Sequence, residues 1–156
     1  MKKLIILSTL FLIMCTSPDQ SLDVTLKNIE NYVEAKDYTN AITQLKYIIE
    51  NYPDTNEAAE AQFRIGNIYL NEVKDFEFAI QHLKTVIENY PNSQVVQKSM
   101  FMIGYIYANN IQAYSDAIEY YERFKILYPE SDLVASVNYE LDNLQDIKNE
   151  IKELIK

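Results

Sequence analysis

Glycine is almost missing from this chain. Its 156 residues include two glycines, four prolines, one cysteine, one histidine and no tryptophan. With so few breakers among abundant Ile, Leu, Ala, Glu, Lys and Gln, helices are favoured over a strand-and-turn architecture. The two glycines, Gly66 and Gly104, stand too far apart to form a glycine-rich phosphate loop. A single cysteine excludes an intramolecular disulfide, and a single histidine leaves no Cys/His cluster for a metal. Basic residues are also scarce, 14 against 23 acidic, for a net charge of −9. That balance opposes nonspecific nucleic-acid binding and polybasic attachment to anionic lipid headgroups. It suits basic partner segments, and on a small exported domain it also serves solubility.

No catalytic constellation emerges. His82 lies between Gln81 and Leu83, in a polar position, and reads as a surface histidine rather than a base or ligand. Glu57 with Glu60, and Glu150 with Glu153, are at helical spacing and read as solvated faces. The chain is therefore expected to be non-enzymatic, with no cofactor and no metal.

What is present divides in two. The N-terminus reads "MKK", then the uncharged run Leu4 to Met14, then Cys15. Eleven apolar-rich residues are too short to span a bilayer as a helix but suit the core of a secretory leader. Residues 1–14 are expected to be a signal peptide and 15–21 a cysteine and short tether. The string "LIMC" resembles the lipobox of bacterial lipoproteins, which implies lipidation of Cys15, although Ile13 and Met14 stand where small residues usually precede such a cysteine. An ordinary leader, or an uncleaved anchor with an incidental cysteine, fits the same residues.

From Leu22 onward the chain repeats itself. Pro53, Pro91 and Pro129 are 38 residues apart, twice over, and columns align on them without a gap. Asp37 matches Asp75; Tyr38, Phe76 and Tyr114 match; so do Ala41, Ala79 and Ala117, and Tyr52, Tyr90 and Tyr128. In Phe76, Ala79, Ile80, Leu83, Val86, Ile87 and Tyr90 the apolar residues recur at three and four, one face of a helix. Asp75 can cap its start, and Pro91 restricts Tyr90 away from helical geometry at its end. Asn92 or Ser93 can then start the next helix. The spacing predicts helices at roughly 22–35, 38–52, 55–71, 75–89, 93–109, 113–127 and 131–155. Gly66 and Gly104 inside helices point to close helix crossings. The fold class is all-α: a solenoid of about seven antiparallel helices, over 22–156, in units 22–53, 54–91 and 92–129 with a long capping helix at 131–156. In that last helix Leu144, Ile147, Ile151 and Leu154 form one stripe, read as a cap, with pairing to another chain as the alternative.

These residues resemble the tetratricopeptide repeat. Gly66, Tyr69, Ala79 and Pro91 satisfy its pattern, as do Gly104, Tyr107, Ala117 and Pro129, while the unit before Pro53 keeps Ala41 but has no glycine. The 38-residue period, with an extended first helix after "YPxS", is similar to envelope lipoproteins of the BamD type and to the repeat domain of the Tol-Pal-associated CpoB type. The resemblance implies a scaffold in outer-membrane protein assembly, lipid-anchored at Cys15 and facing the periplasm. A Tol-Pal or cell-division coordination factor, or a pilotin-like lipoprotein, is the alternative. The closeness of the repeats to Cys15 and the lack of a preceding coiled coil tilt toward the BamD type. BamD-type proteins carry about five repeats and this chain offers three.

In the tetratricopeptide family the first helix of each pair lines a groove that holds protein segments. Carried over by position, that groove would present Glu60, Phe63, Asn67, Leu70 and Asn71 from the second unit. The third unit would present Lys98, Phe101, Tyr105, Ala108 and Asn109. Asn side chains can hold a peptide backbone from both sides, and Phe and Tyr supply apolar contact. For Phe63 and Phe101 a core role is at least equally indicated, in a column that Tyr139 continues. Tyr47, Tyr120 and Tyr121 lie off the principal stripes and read as exposed. Specificity is expected where the copies differ, at Asn67 against Tyr105 and Glu60 against Lys98.

Overall fold

A computed structural model describes residues 21–154. The expected signal peptide, Cys15 and all of the tether before Ser21 lie outside the described residues. Seven α-helices follow in order: α1 (Leu22–Glu34), α2 (Tyr38–Asn51), α3 (Asn56–Ile68), α4 (Phe76–Asn89), α5 (Val95–Tyr105), α6 (Tyr114–Leu127) and α7 (Val134–Leu154). Among the described residues there is no strand.

Local chemistry sets the boundaries. Asp37 accepts the Asn40 N–H at 3.2 Å, Thr55 that of Ala58 at 3.2 Å and Asp75 that of Phe78 at 3.1 Å, satisfying donors that a helix start leaves free. Ala113 holds the same place before α6 and has no side chain to offer. Ser93 accepts from Val95 at 3.4 Å, so it closes a short turn before α5 rather than capping it. At the other ends, Tyr52, Tyr90 and Tyr128 share φ values of −131°, −128° and −133°, and each precedes a proline, which disfavours the helical region for them.

The extended first helices take an unexpected form. After α3 the ladder widens into a π turn over Tyr69–Val73, and after α5 into another over Ile106–Ile111. Each leads to a left-handed residue, Lys74 at φ 63° and Gln112 at φ 61°, which lets the Asp75 and Ala113 N–H groups reach back to the carbonyls of Tyr69 and Tyr107 at 3.0 and 2.8 Å. Lys36, in the same column, is also left-handed at φ 58°. A non-glycine residue there costs roughly 1 kcal/mol or more.

Successive helices pack on one another, α1 on α2, α2 on α3 and so on to α7, and α3 also touches α5. The odd helices thus form one layer and the even ones the other. The core is correspondingly serial: one cluster centres on Ile29, Leu45, Ile48 and Ile65, the next on Leu70, Leu83, Ile103 and Ile106, the last on Met100, Tyr121, Phe124 and Val137. The glycines sit where α3 meets α4 and α5 meets α6. A Cβ at Gly66 would lie 3.0 Å from Leu83, and one at Gly104 would lie 2.7 Å from the Tyr121 ring. Tyr121 is fully buried, contrary to its reading as an exposed tyrosine. It occupies the column of Leu45 and Leu83, both also buried.

The last helix closes the stack by changing polarity. Columns that face a following helix in earlier units, Gln62 with Met100 and Gly66 with Gly104, become Asn138 and Asp142; both are exposed. Tyr69 and Tyr107 give way to Gln145, whose amide donates to Asn149 at 3.0 Å. The expected apolar stripe is buried at Leu144 and half-buried at Ile147, while Ile151 and Leu154 are exposed. Tyr139 also leaves the core column of Phe63 and Phe101, at 66% exposure, because no further helix covers it.

Candidate protein-binding groove

The odd-helix layer carries two clefts. Between the starts of α3 and α5, Asn56, Glu57 and Glu60 face Ser93, Gln94, Val95 and Lys98 across a space of about 330 Å³. The structure brings Glu60 and Lys98 to one cleft. Between the end of α5 and α7, Ala108 and Asn109 face Glu140, Asn143, Leu144, Asp146, Ile147 and Glu150 across about 390 Å³.

Between these clefts the expected groove residues behave differently from one another. Asn71, Tyr105 and Asn109 are exposed and Asn67 is half-buried. The Asn109 amide donates to the Tyr105 carbonyl at 3.2 Å, leaving its own oxygen as a free acceptor direction. Phe63 and Phe101 are half-buried: Phe63 packs against the Leu83 and Val86 clusters, and Phe101 lies 5.8 Å from Tyr121, ring to ring. Leu70 is only 5% exposed and packs with Ala79, Ile80 and Leu83, so it is a core residue and not a groove contact. It lies at the start of the π turn Tyr69–Val73 that follows α3. Ala108 is likewise nearly buried, forming floor rather than wall.

Three structural features escape a reading limited to α3 and α5. Glu30 on α1 pairs with Arg64 on α3 at 2.8 Å, joining the first two odd helices. Asn143 and Ile147 continue the Tyr105 and Asn109 columns by one period, a signal present in the spacing. The third is Tyr121, whose buried hydroxyl has no hydrogen-bond partner. Burial chiefly, then Glu140 and Tyr105, raises its pKa. Leaving such a donor unmade costs about 1–3 kcal/mol.

His82 is not the plain surface histidine of the sequence reading. It is half-buried, stacked on Tyr69 at 5.4 Å, and its Nδ1 accepts from the Gln62 amide at 2.8 Å. Burial first, and Lys46 second, lower its pKa. It holds α3 to α4 as a neutral ring. Among the described residues no group of His, Cys, Asp and Glu is placed to hold a metal ion, and no helix is long and apolar enough to cross a membrane.

Paired helices stacked in two layers, with clefts along one of them and side chains that vary from copy to copy, define a helical-repeat scaffold for binding proteins. The tetratricopeptide repeat profile matches residues 30–55, 60–93 and 98–131, more than half of the chain, with successive matches in the same 38-residue register. The chain belongs to the tetratricopeptide-repeat family, whose members are generally non-enzymatic scaffolds for protein–protein interaction. No curated protein matches it.

Proposed function

We propose that this chain is a lipid-anchored scaffold that holds segments of other proteins in the cell envelope, attached through Cys15 to the outer membrane and facing the periplasm. Its role would be in outer-membrane protein assembly, as in the BamD-type lipoproteins that it resembles. The observation that carries the binding role is the odd-helix layer, where Glu60 and Lys98 share one cleft and Asn109 opens on another. Support for the anchor is the sequence alone: a charged start, a short apolar run, Cys15, and a first helix beginning at Leu22.

Fractionation of cells expressing the full chain tests this. Wild type is expected in the membrane fraction and the Cys15→Ala variant in the soluble periplasmic one; a variant that stays membrane-bound and functional sinks the lipoprotein account. Co-purification from membranes then distinguishes the roles. A β-barrel assembly component supports the assembly role, whereas a Tol-Pal component replaces it with the coordination role.

A further inference from the structure

The layer of even helices holds a cleft of its own. Between α4 and α6, Lys84, Ile87 and Glu88 face Tyr120 and Arg123 across about 220 Å³. That is below the roughly 300–1,000 Å³ of sites that enclose small-molecule ligands, and it suits a single side chain. Two of the five lining residues are cations, in a chain whose net charge is −9. Among the described residues an ion pair joins Glu30 to Arg64, while none engages Lys84 or Arg123. Glu88 shares the cleft without pairing to either of them.

A second observation concerns how Lys84 is held. Its Nζ stands 6.0 Å from the centre of the Tyr107 ring and 5.9 Å from that of Tyr120, and the two rings lie 5.7 Å apart. Two aromatic rings therefore stand where a carboxylate partner would, each at the edge of cation–π range. Burial on its own would lower the pKa of Lys84, and Tyr120 and Tyr107 outweigh it, so the pKa is raised and the ammonium stays charged. A charge fixed in this way loses little further freedom when an anion arrives. The copies also differ here. Between α2 and α4 the same columns hold Lys46, His82 and Thr85, so Arg123 adds a second cation in the third unit alone.

From these we infer that the α4–α6 cleft is a docking site for an acidic segment of a partner protein, one that sets a carboxylate between Lys84 and Arg123. Arginine can meet a carboxylate with two parallel N–H donors, and lysine adds a point charge from the other wall. Complementary charge speeds encounter and turns away basic segments. Glu88, one turn along α4 from Lys84, repels a second carboxylate, so the site takes a spaced acidic side chain rather than a polyanionic run. This surface belongs to the even helices and not to the layer of Glu60 and Lys98. The inference therefore goes beyond the scaffold reading above and stands or falls separately from it.

The test uses the full chain, in detergent, and a fluorescent peptide in which Glu residues are separated by Ala and Leu, with its Lys-for-Glu counterpart as control. Binding of the first peptide and not the second is expected, against the net charge of the chain. Lys84→Met with Arg123→Gln is expected to weaken binding on the order of threefold to tenfold, as for two exposed ion pairs, while Met keeps the aliphatic stem in place. Arg123 is exposed, so Arg123→Gln alone is expected to weaken binding roughly twofold to fivefold at an unchanged Tm. Lys27→Gln with Lys148→Gln, the same loss of charge at exposed positions of α1 and α7, is expected to leave binding unchanged. Glu88→Gln is expected to tighten it about twofold, and Glu34→Gln on α1 to leave it alone. Equal loss from both pairs of cations would reduce the effect to net charge and overturn the inference, as would unchanged affinity in Arg123→Gln or weaker binding in Glu88→Gln. Loss of binding in Lys98→Gln, with Lys84 and Arg123 silent, would move the acidic segment to the odd-helix layer, overturning this inference while the scaffold reading stands. Failure of any envelope protein to co-purify would sink the scaffold reading and leave the peptide result untouched.

Discussion

Adding one methyl group at Gly104 should cost this protein stability, although alanine is the better helix former. Gly→Ala in a helix interior gains about 1 kcal/mol from propensity. Against that, the new Cβ would stand 2.7, 2.9 and 3.0 Å from three ring carbons of Tyr121. The ring cannot step aside readily: it is fully buried, and Phe101 lies 5.8 Å from it. Overpacking of a tight core costs about 1–3 kcal/mol, so the net effect is a loss of up to about 2 kcal/mol, or roughly 4–8 °C in Tm for a chain of this size. Gly66→Ala meets only Leu83, at 3.0 and 3.1 Å, and a carbonyl at 3.4 Å. An aliphatic side chain that gives by a few tenths of an ångström offsets the propensity gain, and the result should be near zero. Urea unfolding followed by far-UV circular dichroism measures both. Tyr121→Leu restores the residue type of its column, so Gly104→Ala combined with Tyr121→Leu should be more stable than the sum of the single changes by about 1–2 kcal/mol. The reasoning is refuted if Gly104→Ala is as stable as wild type, if Gly66→Ala is equally costly, or if the two sites do not couple.

Two further outcomes follow from single columns. Ala113 has φ −84° and ψ 70°, close to Asp37 at −86° and 70°, but lacks a cap; Ala113→Asp should therefore gain about 1 kcal/mol in urea unfolding, and no gain would show that the two starts are not equivalent. His82, whose pKa is held down by burial and then by Lys46, binds its proton later than the unfolded chain does as pH falls. Its stabilising contribution is fully present above the ordinary value near 6.5 and is lost as pH drops through the lower folded value. Denaturation midpoints compared between pH 8 and pH 5 should fall further for wild type than for His82→Gln, which copies Gln44; equal falls would remove His82 from the account.

The repeat was legible because its columns are packing columns. Proline, the tyrosine before it, the small residues and the aspartates each have a backbone or close-approach job that recurs, and the helices begin and end where those residues place them. The π turns were not legible, since the apolar pattern through Tyr69 to Val73 is compatible with an ordinary α-turn. Leu70, placed in the groove by position, lies in that turn and is buried. Tyr121 was misread for a different reason: judged by residue type it looked like a surplus aromatic, although its position relative to Leu45 and Leu83 already put it in the core. The α7 side of the groove was missed because the carry-over stopped at the third unit, one period short of Asn143 and Ile147.

The polar outward face of α7 also determines how this protein can change in length. Asn138, Asp142 and Gln145 would each meet a following helix with an amide or a carboxylate, where Met100, Gly104 and Tyr107 meet α6 with small and apolar groups. A unit inserted between α6 and α7 would leave that polar face at the end of the stack. Growth of the array by duplication is therefore favoured ahead of α7 rather than after it, and each insertion would give α7 a new odd helix to face in place of the one that leads to Ala108 and Asn109.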